Sequence, residues 1–395
     1  MHILMISDAY PPMRTSCATQ IYDLAQAFIE QGHQVSIIIP AHSQKNVVEI
    51  SNLDGPTVFS VRCFKTKDVS YLRRTLAEFI NPFLIGFHLK RNQRFIAQKI
   101  DGITWYSPTI FWGPLVKQLK ALFNCKAYLI LRDIFPDWAL DLGLLKKNLI
   151  YSFFKRVERY QYEQADTIGV QSPNNVGYFN SHNRNLKAKV HVLWNWIGTR
   201  LEKKAPILIN ETSLVGRKIF IYAGNMGIAQ DMGALQKMVG LMRNKKDIGF
   251  IFVGRGSEKS RLEFLSQRLE LNNILFFDEI ENDQLDSLLR QCHVGLISLN
   301  TKHTTHNIPG KFLSYLHAGL PVMALLNVGN DLIELINLNN LGIAITNTDE
   351  VAIVNATMQA LLISQEEGIA SRCQTILNQN FLAKFMSKKI QDELS

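Results

Sequence analysis

Lys311 is the residue whose type and position first suggest chemistry, because it follows a proline and a glycine at the start of an apolar stripe. The stretch reads NIPGKFLSYLHAGLPVMA over residues 307–324. Pro309 has the φ angle of a first helical turn, and Gly319 with Pro321 would end the helix. Such a turn presents unpaired N–H groups and a positive dipole end, and Lys311 adds a full charge. The pattern predicts a phosphate site, although an ordinary capped helix with a surface lysine fits it equally well.

Two glycine-containing loops come before this stretch, and each follows a predicted strand. The first loop holds Gly224, Asn225 and Gly227, and the second places Arg255 between two glycines. Small residues let backbone amides approach an anion, and Arg255 with Lys311 can neutralise a diphosphate. Neither loop has the glycine spacing of a dinucleotide fingerprint, which argues against a nicotinamide cofactor. The three elements together predict a site for a nucleoside diphosphate.

Alternating strands and helices position these loops. The chain opens with an apolar strand in HILMISDAY, a helix over ATQIYDLAQAFIEQGH and a strand in QVSIIIP, which is the unit of a parallel sheet. Four more buried strands are predicted at 102–107, 127–133, 167–172 and 189–195. After a polar connector at 198–215, the alternation restarts with KIFIYAGN and continues to the strand PVMALL.

The predicted fold class is α/β, with two Rossmann-like domains and a cleft between them. A chain of 395 residues is too long for one compact core. Residues 1–200 would form the first domain and 201–380 the second, and 381–395 a C-terminal helix that could return to the first. Ligands of such sheets bind beyond the carboxyl ends of the strands.

Composition excludes several classes of protein. No stretch is long and apolar enough to span a bilayer, and the N-terminus lacks the basic lead of a signal peptide, so we expect a cytoplasmic protein. Five cysteines without a C-x-x-C pair indicate neither a disulfide framework nor a zinc site. No other cluster of metal ligands is evident, so no metal is expected.

The excess of positive charge is confined to the first half, where residues 1–200 hold 24 Lys and Arg against 14 Asp and Glu. Residues 71–95 interleave basic with aromatic and aliphatic residues, and residues 146–166 repeat the mixture. Such stretches fit an anionic membrane surface, or two solvated helices whose apolar faces pack inward. Nucleic acid is not expected, because no recognition motif accompanies the charge. The predicted acceptor or membrane residues are Arg14, Arg73, Arg74, Lys90, Arg91 and Arg132.

The succession YAGNMG, FVGRG, FFDEI, LDSLLRQCHVGLISL and IPGKFLSYLHAGLPVMA resembles the C-terminal domain of glycosyltransferase family 4, the retaining GT-B group. The N-terminal DAYPP and QIYDLAQAFIEQGHQVSIIIP are similar to the acceptor-side opening of that family. The motifs RDIFPDW and IPGK further resemble the WbuB-like N-acetyl-L-fucosaminyltransferases of O-antigen and capsule synthesis. The resemblance implies a GT-B fold over essentially the whole chain.

The activity that the resemblance implies is transfer of a sugar, such as L-FucNAc, from a UDP-sugar to a sugar on undecaprenyl diphosphate. The reaction would retain configuration, need no cofactor or metal, and take place at the inner face of a bacterial cytoplasmic membrane. Two alternatives are a UDP-sugar 2-epimerase-like enzyme and a non-catalytic nucleotide-sugar binder. The nucleotide base would lie near Asp278, Glu279 and Ile280.

The chain departs from the family at two positions where a glutamate pair is usual, because His306 and Ser314 stand there. Ser314 could bond a ribose hydroxyl and His306 the donor sugar. Asp133 and Asp137 follow a predicted strand and could position the acceptor or serve as a base. The predicted catalytic residues are Asp133, Asp137 and His306. The predicted donor-binding residues are Gly224, Asn225, Gly227, Arg255, Asn307, Pro309, Gly310, Lys311 and Ser314.

Overall fold

The computed structural model describes residues 1–13, 15–52, 55–67, 69–141, 143–183, 185–199, 203–300 and 308–395, with only the backbone of 228, 282 and 283. The chain divides into two compact units. The first unit comprises Met1–Gly198 and Leu382–Ser395, and the second comprises Thr199–Phe381. The boundaries predicted from the sequence were 200 and 380.

The first unit is built on an eight-stranded sheet. Its strands are β1 (His2–Ile6), β2 (Gln34–Ala41), β3 (Val48–Asn52), β4 (Thr57–Arg62), β5 (Gly102–Ser107), β6 (Lys126–Leu131), β7 (Thr167–Val170) and β8 (Lys189–Val192). Their order is β3-β4-β2-β1-β5-β6-β7-β8, and every pairing is parallel except that of β3 with β4. The direction in which strands are added reverses between β1 and β5, which is where parallel sheets bind ligands.

The second unit is built on a six-stranded sheet that is parallel throughout. Its strands are β9 (Lys218–Ala223), β10 (Ile248–Val253), β11 (Ile274–Phe277), β12 (Val294–Ser298), β13 (Val322–Leu325) and β14 (Gly342–Ile345). Their order is β11-β10-β9-β12-β13-β14, so the reversal falls between β9 and β12. Two parallel-sheet domains of an α/β chain are thus confirmed.

Fifteen α-helices of the described residues connect and cover the strands. They are α1 (Ser16–Glu30), α2 (Tyr71–Leu89), α3 (Gln93–Ile96), α4 (Gly113–Phe123), α5 (Asp137–Asp141), α6 (Leu149–Tyr162), α7 (Pro173–His182), α8 (Met232–Leu241), α9 (Lys259–Arg268), α10 (Asn282–Leu289), α11 (Gly310–His317), α12 (Asp331–Leu338), α13 (Glu350–Ile363), α14 (Ile369–Asn380) and α15 (Ala383–Leu394). No helix in this part of the chain combines the length and apolar character that a bilayer span needs.

Amphipathic spacing explains most of these helices. In α1, Ile21, Leu24 and Phe28 lie on one face and are buried, as their helical spacing predicts. Thr15 caps this helix, because its side chain accepts a hydrogen bond from Ala18 N. The C-terminal α15 buries its own stripe in the same apolar cluster as α1, within the first unit.

The sequence pattern missed three strands. β3 and β4 lie at one end of the first sheet, and β14 lies at one end of the second. Edge strands are buried on fewer sides than central ones, so β3 and β14 carry few fully buried residues and lack a continuous apolar run. β4 follows its partner β3 after a short turn, and no strongly apolar segment marks either strand in the sequence.

Candidate functional site

The start of α11 is the element around which the predicted donor residues gather. The helix begins at Gly310, with Pro309 as its N-cap residue, and no side chain caps it. Tyr315 fastens the helix to the sheet, since its hydroxyl accepts from Ala223 N (3.1 Å) and donates to the Leu296 carbonyl (3.1 Å). The uncapped first turn therefore lies at the carboxyl end of β9, with its amides open to an anion.

Lys311 lies against the last residues of β9. Its Nζ is 3.6 Å from the centroid of the Tyr222 ring, and its Cε lies close to Gly224. Burial lowers the pKa of Lys311 to about 7. The amine therefore holds its proton less firmly than an ordinary lysine does. None of the described carboxylates forms an ion pair with it.

The two glycine loops pack against each other, and this packing explains the glycines. A Cβ on Gly254, where φ is 143°, would lie 2.0 Å from the carbonyl oxygen of Gly224. The Gly224 amide donates to Val253 O (2.9 Å), and the Gly227 amide donates to the Gln230 side chain (3.2 Å). These amides are therefore already used within the protein. Gly254 is also required for the close approach of two backbones. That these loops bind the donor stays a prediction.

Arg255 projects from the second of these loops, and its side chain is largely exposed. Its Nε lies 3.2 Å from Glu279 Oε2. Asp278 is paired with Lys259, whose charge lowers the pKa of Asp278. Both acidic residues of the predicted base region therefore have cationic partners, and a nucleotide there would meet an ordered set of charges. Ile280 beside them is partly buried.

Several predicted site residues lie elsewhere or outside the description. Arg14, His306 and Asn307 fall outside the described residues. Ser314 is on α11 and is buried, and Asn225 is exposed in the first glycine loop. No three His, Cys, Asp or Glu side chains within the described ranges gather closely enough to hold a metal ion. That the reaction needs no metal stays a prediction.

Arg132 is buried in the first unit, directly after β6. Its guanidinium donates to the carbonyls of Leu193 (3.3 Å) and Trp194 (3.4 Å) and lies 4.3 Å from the Trp196 ring. These bonds fasten the segment after β8 to the end of β6. The predicted contact with acceptor phosphates at the surface is wrong, because this side chain is turned into the interior.

Asp137 has a structural role that the sequence did not indicate. It is buried, and Tyr151 donates to one oxygen (2.7 Å) while Tyr178 donates to the other (3.2 Å). Lys155 lies 3.1 Å from the second oxygen and also pairs with the buried Glu158. A carboxylate with this many partners is not free to take a proton from a substrate, which corrects its predicted catalytic role.

Asp133 differs from Asp137, although only three residues separate them. It is partly buried, and no hydrogen-bond donor among the described residues contacts its carboxyl group. Burial raises the pKa of Asp133 to about 6, against the opposing charge of Arg132. Asp133 therefore has the free oxygens and the near-neutral pKa that its predicted catalytic role requires.

Asp8 is a further candidate site residue, which the sequence analysis did not single out. It directly follows β1, beside the reversal of the sheet between β1 and β5. Burial, with a contribution from Glu78, raises the pKa of Asp8 to about 7. Glu78 accepts hydrogen bonds from Arg74 Nε (2.7 Å), which is also on α2, and from Thr109 Oγ1 (3.3 Å). The position after the first strand was the available signal.

The surface of α2 and α6 carries exposed apolar side chains, which we call the α2–α6 apolar face. Its members are Leu72, Leu76, Phe79, Ile80, Phe83 and Phe87 on α2 and Leu149, Ile150 and Phe153 on α6. Phe79 and Phe153 join the two helices, with ring centroids 6.4 Å apart. Soluble monomers rarely expose so large an apolar surface. The alternative of helices that only pack inward is thereby disfavoured.

Cations surround this face. Arg73 and Lys90 are exposed on α2 and just beyond its end, and Lys146 and Lys147 are exposed before α6. Two further predicted residues have partners within the unit. Arg74 forms an ion pair with Glu78, and the guanidinium of Arg91 lies 3.5 Å above the Phe87 ring.

Known proteins resemble the chain in sequence and in fold. Residues 206–370 match the family model described as Glycosyl transferases group 1. The chain is 24% identical to the putative colanic acid biosynthesis glycosyl transferase WcaI of Escherichia coli K12, over 98% of this chain and 99% of the relative. It is 22% identical to the probable glycosyltransferase WbjE of Pseudomonas aeruginosa, over 74% of this chain and 73% of the relative.

A solved structure extends the likeness to the whole fold. The α,α-trehalose-phosphate synthase (UDP-forming) from Burkholderia xenovorans, in complex with glucose-6-phosphate, matches over 100% of both chains. The TM-score is 0.75 at 11% identity. With its matching family model, its relatives and its two parallel sheets, the chain is a glycosyltransferase with the GT-B fold.

Proposed function

We propose that this enzyme transfers a sugar from a UDP-sugar to a sugar carried on a lipid diphosphate, with retention of configuration, during synthesis of a bacterial surface polysaccharide. A relative named for colanic acid biosynthesis and a UDP-forming structural neighbour support this proposal. The WbuB-like motifs favour an N-acetylated deoxyhexosamine such as L-FucNAc as the sugar and undecaprenyl diphosphate as the carrier. The first unit would bind the acceptor and the second the donor.

Lys311 is the single observation that carries the donor assignment. A partly buried amine without a carboxylate partner among the described residues is costly, since desolvation is not offset by an opposite charge. It lies at the uncapped start of α11 and beside the first glycine loop. A diphosphate would supply the missing negative charge and would also accept hydrogen bonds from the first turn.

The proposed reaction places charge stabilisation in the second unit. The bond between the anomeric carbon and the diphosphate oxygen breaks, so negative charge grows on the leaving phosphate. Protonated Lys311 and Arg255 stabilise this charge. To do so, the Arg255 side chain leaves its ion pair with Glu279 and binds the phosphate. The acceptor oxygen bonds to the same face of the sugar, and its proton passes to the leaving phosphate.

Asp8 and Asp133 would position the acceptor hydroxyl in the first unit. They follow β1 and β6, which are separated in the sheet only by β5, so their backbones are roughly 10 Å apart. Each pKa lies near neutrality because of burial. An ionised carboxylate at either position would accept a hydrogen bond from the hydroxyl and orient its oxygen for attack.

The α2–α6 apolar face would hold the enzyme on the membrane where a lipid carrier resides. Exposed phenylalanines can enter the boundary between headgroups and acyl chains, while the flanking lysines and arginines remain at the headgroups. This arrangement suits a substrate whose reactive sugar is water-soluble and whose carrier is not. The proposed location is the inner face of the cytoplasmic membrane.

Transfer can be tested with a panel of UDP-sugars and a short-chain, water-soluble lipid-diphosphate sugar as acceptor. Wild type is expected to release UDP and form a product in which the new linkage keeps the donor's configuration by NMR. Lys311→Ala should lower turnover at least about tenfold, which corresponds to about 1.4 kcal/mol. Lys246→Ala, an exposed lysine beyond α8, is the matched control. Undiminished turnover in Lys311→Ala would remove the proposed donor site.

Membrane attachment can be tested by vesicle sedimentation. The triple variant Ile80→Gln, Phe83→Gln and Phe87→Gln removes apolar side chains that are 42%, 46% and 50% exposed. We expect vesicle binding to be lost, because the burial of each such side chain contributes about 1 kcal/mol or more. The control replaces three apolar residues of the second unit that are still more exposed, Leu338, Val351 and Leu362, by Gln. Equal binding of both triple variants would contradict the assignment.

A further inference from the structure

A groove of about 650 Å³ lies at the far end of the first sheet, between the edge strand β3 and the segment that links α2 to α3. Residues 48–50 of β3 form one wall, and residues 91–94 form the other. Arg91 and Arg94 are exposed on the second wall. The groove belongs to no site described so far, and it opens to solvent beside the C-terminal end of α2.

Positive charge in this groove is not neutralised. Neither Arg91 nor Arg94 forms an ion pair with any described residue. Glu49 also lines the groove, but its carboxylate accepts a hydrogen bond from the backbone of Asn46 (3.2 Å), within its own turn. A surface that gathers two guanidinium groups beside one locally used carboxylate favours an anionic ligand, and a phosphate can accept paired hydrogen bonds from arginine.

Arg62 adds one further cation to the neighbourhood of the groove. Burial, together with the charges of Arg62 and Arg91, holds the pKa of His88 below its usual value. Arg62 is exposed at the end of β4, the strand that pairs with β3. Because Arg62 and Arg91 both act on His88, an anion bound near them would be attracted by two positive charges.

The α2–α6 apolar face leads directly to the groove. Phe87 is the last apolar member of the α2 stripe, and Arg91 follows it by one helical turn. The Arg91 guanidinium stacks 3.5 Å above the Phe87 ring, so one side chain touches both the apolar face and the groove. When the phenylalanines enter the acyl region of a membrane, Arg91 must lie at the depth of the lipid phosphates.

We propose that this groove binds the phosphate headgroup of an anionic phospholipid and so fixes how the first unit lies on the membrane. The inference rests on the membrane attachment in the proposed function and adds the class of lipid. A lipid phosphate is favoured over free phosphate because the groove adjoins the apolar face that acyl chains would contact. The free edge of β3 offers an alternative occupant, an extended acidic peptide that adds a strand.

Vesicle binding tests the groove. Sedimentation is measured with phosphatidylcholine alone and with phosphatidylcholine containing phosphatidylglycerol. The Arg91→Gln/Arg94→Gln variant is expected to lose about tenfold in affinity on the anionic vesicles and nothing on the neutral ones. The control is Arg243→Gln/Lys246→Gln, which removes two exposed cations of the second unit. An unchanged preference for anionic vesicles in the groove variant, or an equal loss in the control, overturns the proposal.

Soluble ligands distinguish the sources of the anion. Calorimetry with wild type is expected to show binding of dihexanoyl-phosphatidylglycerol that is tighter than that of inorganic phosphate and is lost in the groove variant. Equal affinity for the two ligands overturns the lipid assignment, as does tighter binding of an acidic peptide at the same residues. Transfer to the short-chain acceptor should be unchanged in Arg94→Gln alone, which removes a groove cation outside the predicted acceptor residues. Loss of transfer in that variant would report on the proposed function and not on the groove.

Discussion

Replacing Lys311 by Met is expected to stabilise the protein while it removes the donor site. Burial moves the pKa of Lys311 from 10.5 to about 7, a difference of about 3.5. At about 1.36 kcal/mol per pKa unit, and with half of the amine already neutral, the cost at neutral pH is at most about 4 kcal/mol. Stacking on Tyr222 and partial exposure offset part of it, so the expected gain is about 1–3 kcal/mol.

The sign of this effect depends on pH. The unfolded chain keeps the Lys311 proton up to its ordinary pKa of 10.5, whereas the folded chain releases it near 7. The folded state is therefore penalised progressively as pH falls from about 10.5 to about 7, and by a constant amount below that. Above about pH 11 the amine is neutral in both states, and the advantage of Met should vanish.

Urea unfolding of Lys311→Met and wild type at about pH 7 and about pH 11 tests this reasoning, with Lys246→Met as the control. Calorimetry with UDP at neutral pH should show at least about tenfold weaker binding to Lys311→Met, because the phosphate loses its cation. Wild type should also take up protons on binding UDP, since a phosphate raises the pKa of the amine. A variant that is less stable than wild type at both pH values would refute the account of a costly buried amine.

Three further substitutions test the site. Gly254→Ala would place a Cβ 2.0 Å from a carbonyl oxygen, so it should lower the free energy of unfolding in urea by about 2 kcal/mol or more. Gly216→Ala is the control and should lower it less, because there is open space around Gly216. Asp137→Asn should lower the free energy of unfolding by about 1–3 kcal/mol and leave turnover unchanged, because the carboxylate serves Tyr151 and Lys155. Loss of turnover at unchanged stability would instead support a catalytic role for Asp137. Asp8→Asn should stabilise the fold above about pH 7, because the buried carboxyl group of Asp8 must ionise there. Below about pH 4 the substitution should not change stability, and equal effects at the two pH values would contradict the raised pKa of Asp8.

One short motif shows how far sequence reasoning reached in the first unit. RDIFPDW was predicted to supply acceptor and catalytic residues, and it does follow β6 at the carboxyl end of the sheet. Its three charged residues nevertheless differ in role, because Arg132 turns inward, Asp137 is surrounded by donors and Asp133 is left free. Local spacing gives no information on which neighbours a side chain meets, and those neighbours come from strands and helices far along the chain.

The sequence by itself determined the two-domain α/β fold, the positions of most strands along the chain and the loops that lie beyond them. Apolar runs with regular spacing are local signals, and parallel strands joined by helices can assemble in few ways. Only the tertiary structure decided that the Gly224 and Gly227 amides are already bonded, that Lys311 is partly desolvated and that burial raises the pKa of Asp8. Burial and hydrogen bonding depend on contacts between distant segments, and those contacts, not the residue types, determine the charge of each group.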